Sequence, residues 1–157
     1  MKAVTLRLED ELFAIEAECV REILDPPIIT RVPNASPFVG GLINVRGAVV
    51  PLADFRVMFG MDCRPRDQDT RIVVIELQYQ GEAMTVGILA DKVHDVTDID
   101  NESIEGVPKV GMRWPPEFIR GIGKHAGKFV IIPEMGKIFE KHGGMAAPAT
   151  SDERAVQ

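Results

Sequence analysis

Residues 37–51 read PFVGGLINVRGAVVP. Apolar and small residues alternate on both sides of Arg46-Gly47, the period of two expected of strands. Arg46-Gly47 sits where a hairpin must reverse, and glycine takes the positive φ that such a turn needs. The stretch therefore predicts a glycine-framed β hairpin over 38–53, with Gly41 and Gly47 at its special positions.

Working outward, the same alternation recurs. Val4, Leu6 and Leu8 alternate with Thr5, Arg7 and Glu9, a half-buried strand. Glu9-Asp10-Glu11 reads as a turn, after which Phe13 and Ile15 restart the pattern. Residues 17–24, AECVREIL, are open to a short helix or an extended piece, ended by Asp25-Pro26-Pro27. Ile28 to Val32 is extended, 33–37 is a loop, 53–59 makes one or two helical turns, and 61–69 is a polar loop. Arg71–Leu77 and Met84–Ala90 are strands joined at Gln80-Gly81-Glu82. Residues 98–116 are irregular, with Trp114 expected to anchor that loop. Phe118 to Pro133 is a second hairpin turning at Ala126-Gly127. Met135, Ile138 and Phe139 then fall at helical spacing, giving an amphipathic helix over 134–142 stopped by Gly143-Gly144. The segment 143–157 has little to bury and is expected to be a disordered tail.

An internal repeat organises these elements. At an offset of 80, Phe38-Val39 matches Phe118-Ile119, Gly41-Leu42 matches Gly121-Ile122, Gly47 matches Gly127 and Val50 matches Val130. At an offset of 73, Ile15, Ala17, Glu18, Val20, Glu22 and Ile23 match Ile88, Ala90, Asp91, Val93, Asp95 and Val96. A longer loop at 98–116 absorbs the difference. Each half reads as strand, strand, V-x-acid-aliphatic, loop, hairpin. Lobes this small bury little alone, so they are expected to pack over a shared apolar core.

Composition narrows the function classes. The chain has 157 residues, 45% hydrophobic and 27% charged, with 18 basic and 24 acidic residues for a net charge of −6. That range is ordinary for a globular domain. A net negative chain gains nothing from neutralising phosphates or anionic lipid, which argues against nucleic acid and membrane surfaces. The longest apolar runs are far shorter than a bilayer span. The N-terminus enters a strand pattern directly, so no signal peptide is read and a reducing cytoplasm is expected, with Cys19 and Cys63 as free thiols.

No catalytic constellation emerges. Ser36, Ser103 and Ser151 sit in no nucleophile elbow, and His94, His125 and His142 have no ligand spacing. Gly121-Ile122-Gly123-Lys124 lacks the earlier glycine and the following hydroxyl of a phosphate loop. An EF-hand loop begun at Asp98 would place Ser103 at the glycine position and Lys109 at the bidentate glutamate. No cofactor and no metal are expected, and the protein reads as a binder of proteins rather than an enzyme.

Comparing the halves isolates what is singular. Arg46 stands against Ala126 and Asn44 against Lys124, beside a Val-Arg-Glu-Ile at 20–23. If the lobes fold alike, Glu22 and Arg46 meet across neighbouring strands. Such an Arg–carboxylate pair is directional, and either fixes register or meets a partner.

With V-x-E-I, P-N-x-x-x-F-V-x-G, I-N-x-R-G and V-P-x-x-D in this order, the sequence resembles the CheW-like family of chemotaxis coupling proteins from about Val4 to Phe139. The matching pieces include LRLEDELFAIEAECVREIL, RVPNASPFVGGLINVRGAVVPLADFR, TRIVVIEL, VGILADKVHDV and FIRGIGKHAGKFVII. The resemblance implies a mostly β fold over 1–142. Two intertwined, SH3-like, five-stranded subdomains would share a core, with short helices and a C-terminal helix. It implies a non-enzymatic adaptor that couples methyl-accepting chemoreceptors to the regulatory domain of the histidine kinase CheA, at cytoplasmic receptor arrays. An adaptor of a parallel receptor–kinase pathway for surface motility or biofilm signalling is the alternative, and a small enzyme or ligand-binding barrel the remote one. By motif position, Val20, Glu22, Ile23, Gly41, Asn44 and Arg46 correspond to the receptor-facing region of the first subdomain. Val74, Val86 and Asp91 are the kinase-facing candidates, expected in the second. The chain departs from the family pattern at Gly40, at Ala53 and Phe55 around Asp54, and at Pro133 to Gly136, where Gly136 weakens the first turn of the last helix.

Overall fold

The computed structural model describes residues 1–107 and 115–142. The expected Trp114 anchor and the expected tail at 143–157 lie outside the described residues.

The first repeat supplies β1 (Lys2–Leu8), β2 (Glu11–Glu16), β3 (Val20–Leu24), β4 (Thr30–Arg31), β5 (Gly41–Val45), β6 (Ala48–Ala53) and α1 (Phe55–Met58). The second supplies β7 (Arg71–Tyr79), β8 (Glu82–Ala90), β9 (Lys92–Asp98), β10 (Ile119–His125), β11 (Lys128–Pro133) and α2 (Met135–His142). The open reading of 17–24 resolves into a 3-10 turn at Ala17–Cys19 followed by β3. Three hairpins reverse through the same two-residue geometry. Arg46-Gly47, Gln80-Gly81 and Ala126-Gly127 all hold both central residues at positive φ, between 52° and 87°. This left-handed pair matches the natural twist of the strands it joins.

The strands form two sheets, and neither is built from one half of the sequence. One sheet runs β10-β11-β2-β1-β9, the other β3-β7-β8-β6-β5-β4. The halves exchange hairpins. β1–β2 joins the hairpin and edge strand of the second repeat, and β7–β8 joins those of the first. The pairing pattern is otherwise equivalent. β6 runs parallel to β8 and β11 parallel to β2, while β3 flanks β7 as β9 flanks β1. One sheet has six strands rather than the expected five because the short β4 pairs with β5. Its counterpart in the other sheet is the single bridge Glu105–Ile122.

This exchange corrects the assignment of candidate residues to lobes. Val74 on β7 and Val86 on β8 lie in the same six-stranded sheet as Val20, Glu22, Gly41 and Asn44. Glu22 is the register partner of Val74. A repeat identified from residue identity shows which strands are equivalent; it does not show which copy each strand pairs with.

The exchanged hairpins also carry the shared core. Leu6, Leu8, Phe13 and Ile15 from one sheet pack in one buried cluster with Val73, Ile75, Val86 and Ile88 from the other. Phe38, Phe55 and Phe139 close it, with ring centroids 5.7–6.1 Å apart. Each sheet also has its own interior. Ile43, Val50, Leu52, Ile72 and Val74 fill one, and Ala3, Ala14, Ile99, Val130 and Ile132 the other. β1 is consequently buried on both faces rather than one, with Thr5 bonded through its Oγ1 to the carbonyl of Asp95 at 3.0 Å. At α2, Ile138 and Phe139 are fully buried, so the helix docks in spite of Gly136.

Candidate functional site

The singular residues of the first repeat converge at the free end of the β5–β6 hairpin. Arg46 occupies the first turn position at φ 53°. The Asn44 side-chain oxygen accepts the Gly47 N–H at 2.9 Å and pins that turn. From there the Arg46 Nη2 reaches Glu22 Oε1 at 2.9 Å. The strands are not neighbours as expected, because β3 and β5 stand four places apart in the sheet order. The sheet curls until its edges approach, and the pair spans the closure. The Arg46 side chain is 80% exposed and Glu22 24%. A pair this open contributes about 0.2–1 kcal/mol to stability.

Two apolar side chains flank the pair. Ile23 is 43% exposed, and Val49, which faces Asn44 in register, is 67% exposed. Successive residues of a strand point to opposite faces, so Glu22 and Ile23 present themselves on either side of the edge strand β3. A partner touching both must wrap that edge. Val20 is half-buried against the shared core. Gly41 is buried, and a Cβ there would stand 2.6 Å from Ile29 Cγ2; its part is to let β4 close on β5. Val49 was not among the sequence candidates. Its only signal was position, opposite the singular Asn44 on the hairpin.

The remaining candidates behave differently. Val74, Val86 and Asp91 are 2%, 0% and 6% exposed. Asp91 belongs to a buried charge network that periodicity did not reveal. Arg56 donates from Nε and Nη2 to both oxygens of Asp54, at 2.9 and 2.8 Å. Its Nη1 donates to Asp91 Oδ1 at 2.8 Å and to the carbonyl of Arg64 at 3.0 Å. The other Asp91 oxygen accepts the Glu9 N–H at 2.6 Å, and the Asp91 N–H donates to Arg7. Asp54 also caps α1 through the Arg56 N–H. The hydrogen bonds that the guanidinium donates to Asp54 hold its pKa above the ordinary value, against the opposing effect of burial. Asp91 thus ties α1 and the β8 end of one sheet to the β1–β2 turn of the other.

The carboxylates of the network are committed to one guanidinium and to backbone N–H groups. Burial foremost, then Glu16 at Cys19 and Asp54 at Cys63, pushes both thiols up and away from the nucleophilic thiolate. Among the described residues, no three His, Cys, Asp or Glu side chains are grouped to hold a metal ion. No helix among them is long and apolar enough to cross a membrane.

Known proteins share this architecture. The CheW-like domain family model matches residues 2–142. A chemotaxis protein CheW of Rhizobium meliloti is 30% identical over 87% of this chain and 85% of its own. One from Helicobacter pylori is 31% identical over 84% and 77%. The solved structure of the scaffolding protein TtCheW from Thermoanaerobacter tengcongensis superposes with a TM-score of 0.78 at 33% identity, covering 88% of this chain and 86% of that one.

Proposed function

The chain belongs to the CheW-like domain family, and from that membership we propose that it is a chemotaxis adaptor coupling chemoreceptors to the histidine kinase CheA. The observation that carries this reading is the family match across 2–142 together with a solved scaffolding protein of the same fold. An adaptor needs surfaces rather than a reacting centre, and the singular residues of the first repeat form an ion pair that is open to solvent.

The receptor-facing surface is the curled edge of the six-stranded sheet. Glu22, Arg46, Asn44 and Ile23 make the contact, while Val20 and Gly41 shape the strands that carry it. Arg46 is held in place by Glu22 on one side and by a pinned turn on the other, which limits the rotamer freedom lost on docking. For the kinase, Val74 and Val86 support the β7–β8 surface from beneath, and Asp91, beyond the far end of β8, braces that strand against the β1–β2 turn. The contact itself falls on the exposed outer residues of the same hairpin, such as Glu82 and Thr85. The adaptor works on the cytoplasmic side of receptor arrays, as a scaffold without catalytic activity.

Pull-downs with a receptor cytoplasmic fragment and with the CheA regulatory domain test this. Arg46→Ala and Glu22→Ala are expected to weaken receptor capture and spare kinase capture. Equal loss of both partners with a lowered Tm would make the pair structural. Preference for a receptor and kinase of a parallel pathway would shift the assignment to that pathway.

A further inference from the structure

A groove of about 890 Å3 runs between the 28–41 and 54–66 segments, at the β4 edge of the six-stranded sheet. Of the receptor-face residues, only Gly41 reaches its wall. In a chain of net charge −6, the groove gathers four arginines against the single carboxylate of Asp54. Arg56 is neutralised by Asp54 and Asp91. The other three, Arg31, Arg64 and Arg66, are exposed. Arg64 makes a solvent-open pair with Asp10 at 3.1 Å. Arg66 makes a 3.4 Å contact to the Pro27 carbonyl, and Arg31 has no ion pair among the described residues.

Exposed apolar side chains share the groove with these cations. Ile28 is 87% exposed, the most of any large hydrophobic among the described residues, and Val32 and Val57 are 37% exposed. The strand edge is open as well. Val32 N–H bonds the Gly40 carbonyl at 3.0 Å, and Arg31 lies opposite Gly41. Backbone groups alternate direction along an antiparallel strand, so those of Arg31 face away from β5 and are free to pair.

We propose that this groove docks an acidic protein segment with apolar side chains, laid extended along β4 with its carboxylates on Arg31, Arg64 and Arg66. Guanidinium groups match carboxylates bidentately, and strand addition supplies backbone bonds while side chains supply selectivity. A polyphosphate would meet the same cations, but it leaves Ile28, Val32 and Val57 uncovered and faces the repulsion of the net negative chain.

Fluorescence anisotropy with the full chain tests the assignment, using short labelled peptides that alternate Glu with Val, Lys with Val, or Glu with Ser. The Glu–Val peptide is expected to bind, more weakly as salt rises, and the other two to bind at least about tenfold worse. The double variant R31E/R66E is expected to lose a similar factor, and Arg46→Ala to lose none. Equal binding of the Lys–Val peptide, equal binding of a labelled single-stranded DNA, or no binding at millimolar protein would overturn the proposal. So would unchanged affinity in the folded double variant. Should that variant fail to fold, the peptide series and salt dependence of the unsubstituted chain decide. These readouts involve neither receptor nor kinase, so their failure leaves the adaptor assignment standing.

Discussion

The two sheets enter their helices in the same way and then part. After β6, the Asp54 N–H donates to the Phe38 carbonyl at 2.9 Å; after β11, the Glu134 N–H donates to the Phe118 carbonyl at 2.8 Å. Two residues later one chain segment has Arg56, buried and bonded to two aspartates, and the other has Gly136 in open space. α1, only four residues long, adds the ion pairs of Arg56 to its one core side chain, Phe55. α2, eight residues long, is held by Ile138 and Phe139 in the shared core. A repeated scaffold therefore fixes the backbone path twice and leaves each copy to find its own anchor.

Five substitutions break or sharpen this contrast. The largest effect is expected at Arg56→Met, which leaves Asp54 and Asp91 without their shared cation. Removing one partner of a buried pair costs about 3–5 kcal/mol, readable as a lower urea midpoint at unchanged slope. A loss under about 1 kcal/mol would place the network among open surface pairs instead.

Next come the paired glycines of the two hairpins. A Cβ at Gly41 meets only the Ile29 methyl at under 3 Å, whereas at Gly121 it meets Ile104 at 2.6 Å and the Glu105 carbonyl at 3.0 Å. A methyl at a side-chain tip can move aside more cheaply than backbone. Gly121→Ala is expected to cost about 1–3 kcal/mol, and Gly41→Ala less. The reverse order in thermal melts would show that the β4 segment is the more rigid of the two.

Gly136→Ala runs in the opposite direction. Nothing lies within 4 Å of the added Cβ, so helix propensity alone acts and stability rises by about 1 kcal/mol. An unchanged or lower Tm would count against a helical Gly136. The smallest effect belongs to Arg46→Ala. Its loss of stability is expected below about 1 kcal/mol, even as receptor capture falls. That separation between melting curve and pull-down distinguishes a recognition residue from a scaffold one.

Much of this was legible in the residues. Gly47, Gly81 and Gly127 announced their turns because only the chain reversal needs that backbone geometry. The residues Arg71 to Leu77 announced a strand, and its run Ile72 to Ile75 is buried on both faces. The convergence of Glu22 and Arg46 followed from Arg46 having no repeat counterpart while standing beside the Val-Arg-Glu-Ile of the same half. Three things were hidden. Strand patterning reports which face of a strand is apolar and says nothing about its neighbour, so the hairpin exchange could not be read. Arg56 sits between Phe55 and Val57 with ordinary charged neighbours. Its burial arises from contacts with Asp91, 35 residues on, which no local window contains. The Arg31, Arg64 and Arg66 groove escaped for the same reason: the arginines come from β4 and from a loop some thirty residues on, which only the fold brings together.

The exchange of hairpins also orders events in time. All strands of the six-stranded sheet lie within residues 20–90, nested between the β1–β2 hairpin and its partners β9 to β11. As the chain leaves the ribosome, the inner sheet is complete first. The hairpin made at the outset keeps both its strand edges open until residues 92–98 and 128–133 appear. At roughly 5–20 residues per second, that wait lasts on the order of ten seconds. The earliest-born element is thus the last to be enclosed, and its unpaired edges are where a nascent chain of this kind is most exposed to misassociation.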